Sequence, residues 1–215
     1  MYNKILDSFN FPEKDILAIY PYGSRIYGTA TEASDYDFVV VLKNLKSDCD
    51  QLDAANYPIT VNLYSEESFK DRLDKHRISI LECIFLPSNQ VLKEVFKFPF
   101  KLDKSKLRES ISEKASKDFN QCKKRLSDSQ GWNPITNEPY IKKVYEAKKS
   151  LFHCFRIIDF GLQIANKGKI IDFSSCNLLW KEILDNPSEL WEDYKSKYQE
   201  VYNAKMTEFR KAAPK

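Results

Sequence analysis

The sequence has few histidines and no closely spaced cysteines, which excludes the common zinc sites. The chain has two histidines, His76 and His153, and five cysteines that are never spaced as C-x-x-C. A structural zinc site needs four such ligands, usually brought together in short sequence spacings. We therefore expect reduced and mostly buried thiols, as is usual inside cells.

Long apolar runs are also missing. No stretch approaches the roughly 18 consecutive apolar residues that a membrane-spanning helix needs. The first residues, 1–7, lack the apolar core and the small-residue cleavage site of a signal peptide. The sequence therefore predicts a soluble, cytoplasmic protein with no membrane partner.

The charge that is present is unevenly distributed along the chain. Residues 1–100 carry 11 Lys or Arg against 15 Asp or Glu, whereas residues 101–149 carry 13 against 7. The remaining residues, 150–215, are nearly balanced, with 10 against 9. An acidic first part and a basic middle part favour a protein that binds cations with the one and phosphates with the other.

Hydrophobic spacing predicts two domains. Short apolar runs bounded by turn residues predict buried strands at 16–20 and 38–42, and alternation predicts a half-buried strand at 59–64. Segments 65–75 and 77–86 are expected to be helices, the first of them capped by Ser65. These elements predict a small α+β domain with a mixed sheet at residues 1–100.

From Asp103 onwards the apolar residues recur at steps of three and four, which predicts helices. A first long helix is expected to end at the break 130–134, and a second to run from about Glu138 to Lys167. Two shorter helices are expected, at about 175–185 and 187–211. The second half is therefore predicted to be an antiparallel helical domain at residues 101–215.

The segment 20–42 contains residue types that are suited to bind a phosphate and a metal ion. Gly23 and Ser24 end one predicted strand and open a short helix, whose first backbone N–H groups can bind an anion. Asp35 and Asp37 precede the next strand, where side chains at i and i+2 point to one face. Carboxylates that close repel each other unless a cation lies between them. Since Mg²⁺ prefers hard oxygen ligands and phosphates, the pattern predicts a metal–triphosphate site.

The Gly-Ser turn followed by the Asp-x-Asp pair resembles the signature of the DNA polymerase β-like nucleotidyltransferase superfamily. Over residues 23–37 the chain is most similar to the stand-alone bacterial and viral predicted nucleotidyltransferases. The resemblance implies that Asp35 and Asp37 are catalytic and bind Mg²⁺, or Mn²⁺ in its place. It also implies that a nucleoside triphosphate, with ATP among the candidates, is bound by Gly23, Ser24 and Arg25.

One position departs from the pattern of that superfamily, which usually has a third carboxylate on a later strand. The matching strand here is predicted at 59–64, and its site-facing positions, Thr60, Asn62 and Tyr64, carry no acid. Asn62 can ligate a cation through its carbonyl oxygen, but it cannot act as a base at neutral pH. The candidates for the third ligand are Asn62 and Glu82, with Glu66 and Asp53 as further alternatives.

A second candidate site lies on the predicted helix 138–167. Lys142, Lys149, His153 and Arg156 fall within about 60° of one another at 100° per residue, away from the apolar stripe. In related two-domain enzymes such a helix binds the triphosphate or the acceptor. We therefore predict that Lys149, His153 and Arg156 bind nucleotide or phosphate, with a merely solvated basic face as the alternative.

These features together predict a pyrophosphate-releasing enzyme that moves a nucleoside monophosphate from a Mg²⁺-bound nucleoside triphosphate to a hydroxyl group. The basic middle part favours an RNA 3′ end, such as that of a tRNA, as acceptor, and a protein side chain is the alternative. Two other classes stay open. One is a non-catalytic nucleotide- or RNA-binding member, and the other is an antitoxin- or inhibitor-like partner protein.

Overall fold

The computed structural model describes the backbone of residues 1–129 and 137–215, and the side chains of these ranges except 128–129 and 137–141. The chain divides into two compact units, Met1–Leu102 and Asp103–Lys215. The predicted helix break at 130–134 lies outside the described residues. The assignment of catalysis to the first unit stays a prediction.

The first unit is built on one mixed sheet, formed by all the strands among the described residues. The strands are β1 (Ile16–Tyr22), β2 (Tyr36–Leu42), β3 (Cys49–Asp53), β4 (Ile59–Ser65) and β5 (Lys93–Glu94). Their order across the sheet is β3-β4-β2-β1-β5. The central neighbours β2 and β4 run parallel, whereas the other neighbours run antiparallel.

Helices cover both faces of this sheet, which explains why its central strands are apolar on both sides. The helices of the unit are α1 (Tyr2–Phe9), α2 (Ser24–Tyr27), α3 (Glu66–Asp74) and α4 (Ile78–Ile84). On one face, Ile5 of α1 joins a buried cluster with Phe38 and Val61. On the other face, the ring of Phe69 in α3 stacks on that of Tyr20, with centroids 5.9 Å apart.

The second unit consists of long helices in the residues that the structure describes. They are α5 (Lys104–Ser129), α6 (Asn137–Lys167), α7 (Asn177–Asp185) and α8 (Trp191–Ala212). Ile111 lies against Gly161, and Arg125 donates a hydrogen bond to the carbonyl of Glu146, so α5 and α6 are antiparallel. A Cβ on Gly161 would lie 2.9 Å from the ring of Phe209, so α8 also packs closely against α6 here.

The predicted α+β architecture is confirmed, and the strands predicted at 16–20, 38–42 and 59–64 are present with slightly longer bounds. Ser65 caps α3 as predicted, since its hydroxyl accepts a hydrogen bond of 3.1 Å from the Ser68 amide. Strands β3 and β5 and helix α1 were not predicted. No helix among the described residues has the length and apolarity to cross a membrane.

Strand β3 was missed because it has no buried face. All five of its residues are exposed, so the alternation that predicts a half-buried strand is absent. It also contains an irregular pairing with β4 between Cys49 and Leu52, and Gln51 has a φ of 59°. Such a bulge places an extra residue on one strand and breaks the two-residue period.

Candidate active site

The centre of the candidate site is a contact between Gly23 and Asp37. The antiparallel pairing of β1 with β2 sets Tyr22 opposite Asp37, so the turn that follows Tyr22 meets this carboxylate. A Cβ on Gly23 would lie 2.1 Å from Oδ2 of Asp37, and Gly23 has a φ of 81°. Only glycine tolerates both conditions, because it has no side chain to clash and adopts positive φ at little cost.

The turn that begins at Gly23 forms α2, which is one turn long. The Gly23 carbonyl accepts hydrogen bonds from the amides of Ile26 at 3.0 Å and Tyr27 at 3.3 Å. The amide of Thr29 closes the segment on the Ser24 carbonyl at 2.9 Å. A helix start leaves the amides of its first residues outside its own ladder, and such amides are suited to bind an anion. Ser24 is partly exposed at this helix start, and its phosphate-binding role stays a prediction.

Arg25 holds the segment that carries Asp35. Its Nη2 donates a 2.6 Å hydrogen bond to the Ser34 carbonyl, and its Nε donates one of 3.2 Å to the Asp35 carbonyl. Its guanidinium carbon also lies 3.8 Å from the centroid of the Tyr36 ring. These contacts give Arg25 a positioning role that the sequence did not indicate. Its predicted role as a phosphate ligand stays a prediction.

Asp35 and Asp37 are both brought to this end of the sheet. Asp37 lies within β2 and is partly buried, whereas Asp35 immediately precedes the strand and is exposed. At about 3.3 Å of rise per residue, their Cα atoms are about 7 Å apart along the chain. Asp37 lies within the strand and its carboxylate contacts Gly23, whereas Asp35 lies outside the strand, so the convergence of the two carboxylates stays a prediction.

Glu82 supports α2 from the interior of the first unit. Glu82 on α4 is 3% exposed, and Tyr27, the last residue of α2, is 2% exposed. The Tyr27 hydroxyl donates a short hydrogen bond to Oε2 of Glu82. A buried carboxylate needs such a donor to offset its loss of water. This arrangement assigns Glu82 a supporting place beneath the turn, and its role as third metal ligand stays a prediction.

The register of β4 against β2 decides which residue lies beside Asp37. Thr60 is the direct neighbour of Asp37, whereas Asn62 is paired with Val39, two residues further along. Directly paired residues of neighbouring strands project to the same face of the sheet. Position 60 is therefore nearest to the second aspartate, and it was passed over because alternation reveals the face of a strand but not its register.

The polar partners of Thr60 and Asn62 confirm that these two positions differ. The Thr60 hydroxyl donates a 2.7 Å hydrogen bond to Oδ1 of Asp53, its neighbour on β3. The Asn62 side-chain carbonyl accepts a 3.0 Å hydrogen bond from the amide of Gln51. Asn62 thus stabilises the irregular strand β3, and its role as third ligand also stays a prediction.

The oxygen ligands at this site suit a hard divalent cation that takes only a few of its ligands from the protein. No group of three or more His, Cys, Asp or Glu side chains that could hold a metal occurs in the part of the chain that the structure describes. Two carboxylates are nevertheless a usual protein contribution to Mg²⁺, which keeps waters and takes its other ligands from substrate phosphates. Asp35 and Asp37 therefore suit Mg²⁺ as a pair.

On the helical unit, the predicted basic stripe is only partly on the surface. Lys149 is exposed and His153 is partly exposed, but Arg156 is 2% exposed. Its guanidinium carbon lies 5.8 Å from the ring centroid of Phe152 and 5.6 Å from that of Phe160. The prediction that all three residues lie off the buried face is wrong for Arg156. The reason is that α6 packs against α5, α7 and α8, so more than one of its faces is buried.

The charge of His153 also differs from the expectation of a basic stripe. The protein packed around the half-buried His153 imidazole keeps water from it and holds its pKa well below the ordinary value of 6.5, and nearby cations lower the pKa further. In order of effect, these cations are Arg156, Lys114, Lys149 and Arg125. The ring is therefore neutral at pH 7, so it adds no positive charge for a phosphate.

Comparison with known proteins agrees with this geometry. A family model described as a nucleotidyltransferase domain matches residues 2–113, which include the whole sheet and the first turns of α5. No curated protein matches the chain. One similar solved structure is a nucleotidyltransferase-like protein from Exiguobacterium sibiricum 255-15. It is 11% identical, with 98% of this chain and 72% of that chain covered and a TM-score of 0.32.

A TM-score of this size does not establish a shared fold, so the family match is the decisive comparison. It includes the Gly23–Asp37 contact, the Asp35–Asp37 pair and the strand that carries Thr60. The matched segment is 112 of 215 residues, more than half of the chain. The protein therefore belongs to the nucleotidyltransferase domain family.

Proposed function

We propose that this protein transfers a nucleoside monophosphate from a Mg²⁺-bound nucleoside triphosphate to a hydroxyl acceptor and releases pyrophosphate. The observation that carries the proposal is the contact of the Asp37 carboxylate with Gly23 at the start of α2. It sets a carboxylate suited to a cation directly beside a turn suited to a phosphate. The triphosphate and its metal ion need both features within a few ångströms of each other.

Each residue of the contact region has a part in this proposal. Asp35 and Asp37 hold Mg²⁺, or Mn²⁺ in its place, and a metal bound there neutralises charge on the phosphate oxygens. The amides at the start of α2 and the Ser24 hydroxyl bind the triphosphate. Arg25 fixes the backbone that precedes Asp35, and Tyr27 fixes the end of α2 on Glu82.

The proposed reaction forms a bond from the acceptor oxygen to the α-phosphorus. The bond from the α-phosphorus to its bridging oxygen breaks, and pyrophosphate leaves with that electron pair. The proton of the acceptor hydroxyl passes to a carboxylate of the pair or to water. Thr60 and Asn62 cannot take it, because neither side chain is a base at neutral pH. An RNA 3′ end is the favoured acceptor because residues 101–149 are strongly basic.

The proposal is tested by replacing the two aspartates. Asp35→Asn and Asp37→Asn should each abolish pyrophosphate release and Mg²⁺-dependent triphosphate binding, with the free energy of unfolding unchanged or slightly raised because like charges are removed. Labelled ATP, GTP, CTP and UTP are offered with and without bulk tRNA. Asp7→Asn, which removes an exposed carboxylate from α1, is the matched control. Wild-type turnover in either active-site variant would contradict the proposal.

A non-catalytic nucleotide-binding role is the second candidate, and the side chains beside the aspartates favour it. The position next to Asp37 carries a threonine where an acid would complete the pair. If the protein is such a binder, the wild type will bind triphosphate with Mg²⁺ and release no pyrophosphate with any acceptor. The same titrations and turnover measurements therefore distinguish the two functions.

A further inference from the structure

The helical unit contains a polar cleft of about 470 Å³ whose chemistry the proposed reaction does not use. Its walls come from the start of α5, the end of α8 and the residues that follow α8. The lining side chains are those of Ser105, Arg108, Glu109, Ser112, Arg210 and Lys215. Three cations thus surround one carboxylate and two hydroxyl groups.

The α5 side of the cleft is a regular helical face. Ser105, Arg108, Glu109 and Ser112 are spaced as i, i+3, i+4 and i+7, which sets them along one side of the helix. Arg108 is fixed across the cleft, because its Nη1 donates hydrogen bonds to the carbonyls of Arg210 at 3.1 Å and Ala213 at 3.5 Å. The planar guanidinium presents its remaining N–H groups from this fixed position.

Helix capping explains only part of this arrangement. Arg108 satisfies carbonyls at the end of α8, and so does Lys104, whose Nζ lies 3.0 Å from the Ala212 carbonyl. Arg210, Lys215 and Glu109 take part in none of the ion pairs formed by described side chains. Arg210 lies in the last turn of α8, where a cation also suits the helix dipole, whereas Lys215 lies beyond the helix. Both add positive charge to the concave site.

We propose that this cleft, the α5–α8 cleft, binds the sugar–phosphate backbone of single-stranded RNA. A phosphodiester carries one negative charge, which three cations attract even beside the Glu109 carboxylate. The carboxylate in turn accepts a hydrogen bond from a ribose 2′-hydroxyl, which DNA lacks. Cations alone would bind any polyanion, so the acid among them is what favours RNA.

The two serines suit the same ligand. The Ser112 hydroxyl oxygen is shielded from solvent and has no hydrogen-bond partner among the described residues. Rotation about its χ1 angle can therefore turn this donor towards a phosphate without breaking another bond. The excess of positive charge over residues 101–149, 13 cations against 7 anions, attracts the RNA to this unit. The inference extends the proposed function, since it gives the favoured RNA acceptor a docking site.

The test measures binding of RNA without any turnover. A fluorescent single-stranded RNA of about 12 nucleotides, within the usual site sizes for such proteins, and a DNA of the same sequence are titrated with the full chain. Neither triphosphate nor Mg²⁺ is present, so failure of the Asp35–Asp37 site cannot affect the result. The variants are Arg210→Ala, Lys215→Ala and Glu109→Gln, with Lys195→Ala as the control that removes an exposed cation from the same helix.

We expect the wild type to bind RNA more tightly than DNA. Arg210→Ala and Lys215→Ala should each weaken binding severalfold and lower the slope of log affinity against log salt by about 0.7, the value for one phosphate contact on a single strand. Glu109→Gln should bring the RNA and DNA affinities together. Lys195→Ala should bind as the wild type does.

Several outcomes would overturn the inference. They are no RNA binding by the wild type at low salt, an equal loss of affinity in Lys195→Ala and Arg210→Ala, and no preference for RNA over DNA. Displacement of bound RNA by millimolar inorganic phosphate at constant ionic strength would also overturn it, since the cleft would then be a general anion site. None of these outcomes bears on pyrophosphate release, so the proposed function is tested separately.

Discussion

Gly23 and Gly168 both have a positive φ but lie in different surroundings, so substitutions at the two positions distinguish backbone strain from loss of the site. Their φ angles are 81° and 76°. A Cβ on Gly23 would meet the Asp37 carboxylate at 2.1 Å, whereas a Cβ on Gly168 would have nothing within 4 Å. A side chain strains the backbone at both positions, and more at Gly23, because its ψ of −160° lies in a region that only glycine commonly adopts.

We therefore predict that Gly23→Ala abolishes Mg²⁺-dependent triphosphate binding and that Gly168→Ala does not. Both variants should lose stability, and Gly23→Ala should lose more because the new methyl group must displace Asp37. Chemical denaturation gives the free energies of unfolding, and titration with a fluorescent triphosphate gives the affinities. Normal triphosphate affinity in Gly23→Ala would show that the glycine contact is not part of the site.

The neutral His153 gives a second prediction at this scale. Its lowered pKa means that, below pH 6.5, the unfolded chain takes up a proton that the folded chain does not. The free energy of unfolding should therefore fall as the pH drops below 6.5, by at most about 1.4 kcal/mol per pH unit from this residue. The cations that oppose protonation are Lys114 and Arg125 on α5, and Lys149 and Arg156 on α6.

Denaturant titrations of the wild type and His153→Gln between pH 5 and 7 measure this effect. The variant should lose less stability on acidification, because it has no imidazole to protonate at position 153. Lys149→Gln should show an intermediate dependence, since it removes one of the repelling charges. Identical pH dependence in the wild type and His153→Gln would show that the imidazole is protonated as readily in the folded chain as in the unfolded one.

At the scale of secondary-structure elements, the pairing of β4 with β2 sets the identity of the side chain beside Asp37. Thr60 occupies that position, and Asn62 lies two residues away against Val39. We predict that Thr60→Asp strengthens Mg²⁺ binding and raises turnover, because it sets a third hard oxygen ligand beside the pair. Without metal, the same variant should be less stable than the wild type because carboxylates repel.

Asn62→Asp is the matched control, as it adds the same charge to the same strand. Calorimetric titration with Mg²⁺ and thermal unfolding with and without the metal compare the two variants. Thr60→Asp should gain stability on metal addition, and Asn62→Asp should respond as the wild type does. If Asn62→Asp instead gains more stability on metal addition than Thr60→Asp, the third ligand belongs at position 62. The strand register would then be a poor guide to the site.

The same elements show how far the sequence could predict the site. The Gly-Ser turn and the Asp-x-Asp pair are local, so their order along the chain was enough to bring Gly23, Asp35 and Asp37 into one prediction. Pairing between strands is not local, and alternation cannot distinguish Thr60 from Asn62, since both project to one face. Strand β3 gave no signal at all, because its polar residues have no buried face to impose a period.

Burial on the helical unit was misjudged for a related reason. A single apolar stripe describes a helix that packs against one neighbour, but α6 packs against three. Arg156 therefore lies in the interior although it falls outside the stripe. Its long side chain lies beside the rings of Phe152 and Phe160, contacts that helical periodicity does not represent.

At the scale of the whole molecule, the thiols report on the integrity of the fold. All five cysteines lie in the described residues, and Cys49 is exposed while the other four are buried. Burial raises the pKa of Cys122 and Cys176 to about 12, and it raises those of Cys83 and Cys154 well above 9. Since the thiolate is the reactive form, the buried thiols should react slowly for two reasons. Reagents cannot reach them easily, and their raised pKa values keep them protonated.

We therefore predict that a disulfide reagent at pH 8 modifies one thiol rapidly in the native protein and five in denaturant. Cys49→Ser should remove the rapid phase and leave the slow one unchanged. Absorbance of the released thiolate follows both phases. A rapid thiol that remains in Cys49→Ser would show that the core around a second cysteine opens readily.

The exposed strand β3 has one more consequence, which concerns the solubility of the protein. It lies at one edge of the sheet, where unpaired backbone groups invite another strand to add and aggregation to begin. Asp50, Asp53 and the irregular backbone at Gln51 oppose such an addition, because charge and a bulge make an edge a poor template. The strand that sequence patterns could not detect is thus also one that another copy of the chain cannot easily extend.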